Sequence, residues 1–76
     1  MRNTRVQDGY RGEWNQANQR DGQGIEYYAD GSIYVGYWVA GKRSGRGRIT
    51  RADGEVYEGD WKDNVPHGKG QVTQRD

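Results

Sequence analysis

Residues 45–61 read Gly45-Arg46-Gly47-Arg48-Ile49-Thr50-Arg51-Ala52-Asp53-Gly54-Glu55-Val56-Tyr57-Glu58-Gly59-Asp60-Trp61. The stretch is two β-strands and a turn, and its register decides which side chains share a face. A two-residue Asp-Gly loop would be a type I′ hairpin. A three-residue Ala-Asp-Gly loop would be a type I turn with Gly in the left-handed region, forming a bulge. A slip of one residue sends every side chain to the other face. Cross-strand charges choose between them. With three loop residues, Arg51 faces Glu55, Arg48 faces Glu58 and Arg46 faces Asp60. Ile49 then faces Tyr57, Gly47 faces Gly59, and Gly45 faces Trp61. With two loop residues, Arg48 faces Gly59, Arg46 faces Trp61, and the charge matches vanish. Opposite-charge and apolar cross-strand pairs contribute ~0.2–1 kcal/mol each, so the three-residue register is expected.

The same pattern recurs along the chain. Tyr10-Arg11-Gly12-Glu13-Trp14 returns as Tyr34-Val35-Gly36-Tyr37-Trp38 and as Tyr57-Glu58-Gly59-Asp60-Trp61, at steps of 24 and 23 residues. Gly-x-Gly falls at Gly22/Gly24, Gly45/Gly47 and Gly68/Gly70, and Ala-Asp-Gly at Ala29–Gly31 and Ala52–Gly54, all 23 apart. A fixed period of this length marks a repeat architecture. Tyr, Gly and Trp at i, i+2 and i+4 lie on one face of a strand. Strands are expected at 10–14, 23–28, 32–39, 46–51, 55–61 and 69–74, with five- to eight-residue loops after each Trp. The fold class is therefore all-β: a single-layer, twisted antiparallel meander of about six strands. It forms one domain over 1–76, with repeats at 10–33, 34–56 and 57–76, the last truncated.

That register puts Tyr10, Gly12, Trp14, Gly22, Gly24, Tyr28, Tyr34, Gly36, Trp38, Gly45, Gly47, Ile49, Tyr57, Gly59, Trp61, Gly68, Gly70 and Val72 on one face. Gly weakens a strand unless another group needs the space. Here rings on neighbouring strands need it, each burying ~150–250 Å². Glu26 is a misfit on this face. Asn18, Gly41 and Asn64 hold similar loop positions and tolerate positive φ.

Composition leaves few other sources of burial. Of 76 residues only 30% are hydrophobic, with three Trp, six Tyr and no Phe. With no Cys there is no disulfide framework and no zinc-thiolate site. No apolar run approaches membrane-spanning length. The formal charge of +1 favours neither nucleic acid nor an anionic membrane globally.

Tyr-x-Gly-x-Trp, then Gly-x-Gly, then Asp-Gly, at this spacing, resembles the MORN repeat (membrane occupation and recognition nexus) over about residues 8–74. The resemblance implies elongated, twisted β-hairpin arrays that act as scaffolds, dimerisation modules and protein-binding surfaces. It also implies phospholipid binding in some members, cytoskeletal or membrane-junction association, and attachment to enzymes as regulatory regions. The first repeat departs by one inserted residue, and by Tyr10 following Asp8-Gly9 directly. The third stops before its turn Gly. The position four after the second Gly of Gly-x-Gly holds Tyr28, Arg51 and Gln74.

Several residues could carry function. Ile25, Tyr27, Ile33, Val35 and Tyr37, with Gln23 and Val39, make the other face of the first hairpin apolar. This reads either as strand propensity or as a contact patch for a protein partner or a second copy. Lys42, Arg43, Arg46 and Arg48, with Arg51, form a basic run. It reads as a site for an anionic partner, whether phosphoinositide headgroups, an acidic protein or nucleic acid, or as charge neutralised across the strand by Glu55, Glu58 and Asp60. Lys42 and Arg43 are expected in a loop and unpaired. The edge at Gln71–Thr73 is open to strand addition. His67, the only His, is expected in a turn. Ser32, Ser44 and the Thr residues lack a His-Asp arrangement, and Glu13 and Asp60 occupy equivalent slots of different repeats. No catalytic centre, cofactor or metal site is expected. The expectation is a non-catalytic, cytoplasmic interaction and assembly scaffold, cytoskeleton- or membrane-associated. Its partners are a protein, a second copy or, alternatively, an anionic lipid; nucleic acid is not expected.

Overall fold

A computed structural model describes residues 3–74. Among these residues the chain forms one antiparallel sheet: β1 (Asn3–Gln7), β2 (Tyr10–Trp14), β3 (Arg20–Tyr27), β4 (Ile33–Val39), β5 (Lys42–Thr50), β6 (Val56–Lys62) and β7 (Val65–Thr73). The strands lie side by side in chain order, as a meander. The smallest of the molecule's three extents, 41 × 26 × 16 Å, leaves room for one sheet and one layer of side chains.

The expected register is the observed one. Arg46 lies opposite Asp60, Gly47 opposite Gly59, Arg48 opposite Glu58 and Ile49 opposite Tyr57. Both Ala-Asp-Gly loops span three residues and end on a positive-φ Gly, Gly31 and Gly54. The Asp side chain fixes each loop: Asp30 accepts from the Ser32 amide at 2.8 Å and Asp53 from the Glu55 amide at 2.9 Å.

Four expectations about strands and loops need correction. There are seven strands, not six, because Asn3–Gln7 pairs with β2. Its two-residue turn, Asp8-Gly9, holds both residues at positive φ, the type I′ geometry. That explains why Tyr10 follows Gly9 without a spacer. The loops after Trp38 and Trp61 are also shorter than expected. Val39 pairs with Lys42 and Lys62 with Val65, leaving two-residue turns at Ala40-Gly41 and Asp63-Asn64, again with positive φ throughout. Lys42 and Arg43 therefore stand in β5, not in a loop, and His67 stands in β7, not in a turn. Only the first repeat keeps a long loop, closed by Asn15 accepting from the amides of Ala17 and Gln19.

The two glycines of each Gly-x-Gly do different work. Gly22, Gly45 and Gly68 have φ of 97°, 92° and 74°, next to register shifts between Gly12 and Trp14, Gly36 and Trp38, and Gly59 and Trp61. A Cβ at Gly45 would meet Tyr37 and one at Gly68 would meet Asp60. These three glycines are thus bulge residues, and the bulge takes them out of the aromatic face where simple alternation places them. Gly24, Gly47 and Gly70 are the ones under the rings. A Cβ there would run into Tyr10, Tyr34 and Tyr57 respectively.

Candidate functional site

The inner face is closed by its own rings. Tyr10 sits edge-on between Trp14 and Trp38, with centroids 5.1 and 5.3 Å away. Tyr34 sits likewise between Trp38 and Trp61, at 5.2 and 5.3 Å. Tyr57 meets Trp61 at 5.3 Å. Edge-to-face geometry aims the positive ring edge at a negative π face. Tyr10, Tyr34, Trp14, Trp38, Ile49 and Trp61 make the core. Each Tyr hydroxyl donates to a main-chain carbonyl three residues on: Glu13 at 3.0 Å, Tyr37 at 3.0 Å and Asp60 at 3.1 Å. Trp14 and Trp61 donate their indole N–H to the carbonyls of Arg5 and Gly47. Burial pushes the Tyr10 and Tyr34 phenols up to about 12.

Two arginines extend this layer: Arg20, which the sequence did not single out, and Arg43, which it placed among the anion candidates. Arg20 pairs with Glu26 at 2.6 Å, which removes the misfit of a carboxylate among aromatics. Its guanidinium also lies over Tyr10, Trp14 and Trp38. Arg43, 23 residues on, lies over Trp61 at 4.8 Å and over Tyr34 and Tyr28. It donates to the Asn64 carbonyl at 2.9 Å. A cation over an indole face is attracted by the ring quadrupole. Arg43 is therefore engaged within the fold and not the unpaired loop cation the sequence suggests. The signal was its 23-residue relation to Arg20. Arg5 caps the other end, over Trp14 at 4.4 Å.

The outer face is open. Ile25 lies opposite Val35, Tyr27 opposite Ile33, and Gln23 opposite Tyr37. The first-hairpin apolar residues are thus brought together as one patch, and Val56, paired with Thr50, extends it. Tyr27 is 51% exposed, Val35 47% and Tyr37 44%. Gln23 donates its amide to the Tyr37 hydroxyl at 2.8 Å, which orients that ring. The basic run is split. Arg46 reaches Asp60 at 3.5 Å. Arg48 faces Glu58 in register but makes no ion pair with a described residue. Lys42 is exposed at the turn. At the sheet's end, β7 is exposed along its length.

Two carboxylates of the outer face hold backbone. Glu13 accepts from the Gln23 amide at 2.7 Å and Asp21 from the Ala40 amide at 3.1 Å. Among the described residues no group of three or more His, Asp or Glu side chains is placed to hold a metal ion, and no helix is long and apolar enough to cross a membrane.

The repeat geometry has a match among known families. The family model described as MORN repeat covers residues 10–33, 34–56 and 57–76. The chain belongs to the MORN repeat family. Each MORN unit begins at the Tyr that covers its own two glycines and carries the Trp that closes the preceding Tyr. No curated protein matches the sequence. MORN repeats are in general non-catalytic modules, and the family is consistent with interaction with protein or lipid.

Proposed function

We propose that this MORN array is a non-catalytic scaffold that docks a protein through the outer face of its first hairpin, at Ile25, Tyr27, Ile33, Val35 and Tyr37. One observation carries the reading. The rings that make the fold are spent on the inner face, yet the outer face of the same hairpin still exposes a contiguous apolar cluster. A sheet surface with no folding role and a large apolar area is a contact surface. Aromatic and aliphatic anchors of this kind carry most of the energy of protein interfaces.

Anionic-lipid recognition is the alternative. It would use Lys42, Arg43, Arg46 and Arg48, but Arg43 is stacked on the inner face and Arg46 is paired with Asp60. Glu58 and Asp60 share the face of the remaining cations, so a uniformly negative plane meets mixed charge. This arrangement favours a protein.

The test is association measured on the whole chain and on a Val35→Ser, Tyr37→Ser variant. Wild type should bind a partner or a second copy, seen by affinity capture and by sedimentation. The variant should lose that association while keeping its β-sheet spectrum. Undiminished association by the variant would refute the outer-patch assignment. Salt-sensitive binding to phosphoinositide vesicles, with no protein association, would establish the lipid reading instead.

A further inference from the structure

The outer patch has a charge frame as well as an apolar centre. Arg11 lies opposite Ile25, Ile25 opposite Val35, and Val35 opposite Arg48. The four side chains form one straight row across β2, β3, β4 and β5. Both arginines are exposed, and neither forms an ion pair with a described residue. At the Arg11 end of the row lies a groove of about 340 Å³, lined by Arg11, Gln23, Ile25 and Val35 with the backbone of Gly24 and Gly36; Arg48 stands beyond it, one strand past Val35. The two aliphatic side chains are thus bracketed by two guanidiniums without an ion pair to a described residue, Arg48 having Glu58 as its next neighbour in register.

The spacing of that row specifies an occupant. Neighbouring strands lie about 4.8 Å apart, so Arg11 and Arg48, three strand steps apart, have backbones about 14 Å from one another. An extended segment rises about 3.3 Å per residue and turns residues i, i+2 and i+4 to the same side. Its i to i+4 distance is about 13 Å. From this we infer that the row is a docking site for an extended acidic segment of a partner protein. Asp or Glu at i and i+4 would meet Arg11 and Arg48, and an aliphatic or aromatic residue at i+2 would meet Ile25 and Val35. Guanidinium–carboxylate pairs can form with two parallel hydrogen bonds, which adds orientation to attraction. The inference rests on the outer-face reading above and names the partner chemistry that reading leaves open.

Charge reversal tests it on the whole chain. The probe is a short synthetic peptide carrying Glu-x-Leu-x-Glu, with Lys-x-Leu-x-Lys and Glu-x-Ser-x-Glu as controls. Binding is followed by amide chemical-shift changes and by calorimetry. The Glu-x-Leu-x-Glu peptide should bind and shift the amides of Arg11, Ile25, Val35 and Arg48; either control should bind about tenfold more weakly or worse. Arg48→Glu should weaken binding about tenfold, the loss expected from one charge pair, and a peptide with Lys at one end should restore it. Both residues are exposed, so the variants should keep the wild-type circular dichroism spectrum. Binding indifferent to Arg11→Glu and Arg48→Glu but abolished by Val35→Ser would overturn the charge frame and leave the outer-face docking reading standing. Binding indifferent to all three substitutions would overturn both. Binding of anionic vesicles without binding of the acidic peptide would overturn the peptide assignment in favour of a lipid surface.

Discussion

Gly47→Ala adds one methyl group at the point where the fold has no room for it. An ideal Cβ at Gly47 would stand 2.5 Å from Cζ of Tyr34 and closer still to its hydroxyl. Tyr34 has nowhere to go. It is fully buried, gripped by Trp38 and Trp61, and tied to the Tyr37 carbonyl. Overpacking of this kind costs ~1–3 kcal/mol. Expulsion of the ring sets the upper limit. Re-exposing ~150–250 Å² at ~25 cal/mol/Å² costs ~4–6 kcal/mol. Replacing Gly returns ~0.5–1 kcal/mol through the unfolded chain. Net of that gain the two limits are about 0–2.5 and about 3–5.5 kcal/mol, and the expected loss lies between them, at about 3 kcal/mol. For a domain of this size ~1 kcal/mol moves Tm by ~4–8 °C, so Tm should fall by roughly 10–25 °C. Arg48→Ala, an exposed outer-face change, should stay within ~0.5 kcal/mol. Gly41→Ala, where a Cβ would meet nothing within 4 Å, isolates the cost of positive φ at ~1 kcal/mol. Thermal unfolding followed by circular dichroism reads all three. Adding Tyr34→Phe should recover part of the Gly47→Ala loss, because it removes the atom nearest the new methyl. Equal shifts for Gly47→Ala and Arg48→Ala would refute the seating of Tyr34 over Gly47.

Three further outcomes follow from the inner layer and its turns. Tyr10 and Tyr34 hold their protons more tightly folded, at about 12, than at the ordinary 10.0. Their contribution is therefore complete below pH ~10 and lost as pH rises toward 12. An alkaline titration should show late tyrosinate absorbance rising together with loss of sheet signal in that window. Glu26→Ala should cost about 1.5–3 kcal/mol in urea unfolding, because Arg20 loses its carboxylate. Glu26→Ile should cost less, since Ile49 fills the equivalent slot beside Arg43. Ala40 sits at φ 49° in a two-residue turn, a conformation costly for Ala. Ala40→Asn, matching the Asn-Gly preference of type I′ turns, should raise Tm by about 2–8 °C.

The register was legible because three opposite-charge pairs, at Arg46, Arg48 and Arg51, agree on one alignment and disagree with the next. The aromatic face was legible because Tyr, Gly and Trp alternate in each unit. β1 was not, because Arg5 stands where later strands carry Gly and no repeat motif reaches it. The bulges were hidden because both glycines of Gly-x-Gly look alike in sequence, while only their φ separates Gly45 from Gly47. Arg43 was not legible because nothing in the sequence shows that the turn after Trp38 has only two residues, Ala40 and Gly41. In the two-residue turn it enters the strand and folds over Trp61. The outer patch was visible as Ile25, Tyr27, Ile33, Val35 and Tyr37, but its bracketing by Arg11 needed the β2–β3 register.

The most direct check of the layered design is a nuclear Overhauser spectrum of the folded chain. Rings resting on bare backbone predict strong cross-peaks from the α-protons of Gly24, Gly47 and Gly70 to the ring protons of Tyr10, Tyr34 and Tyr57, respectively. Cross-peaks from those glycines to Tyr27 or Tyr37 instead, or none to any ring, would contradict it.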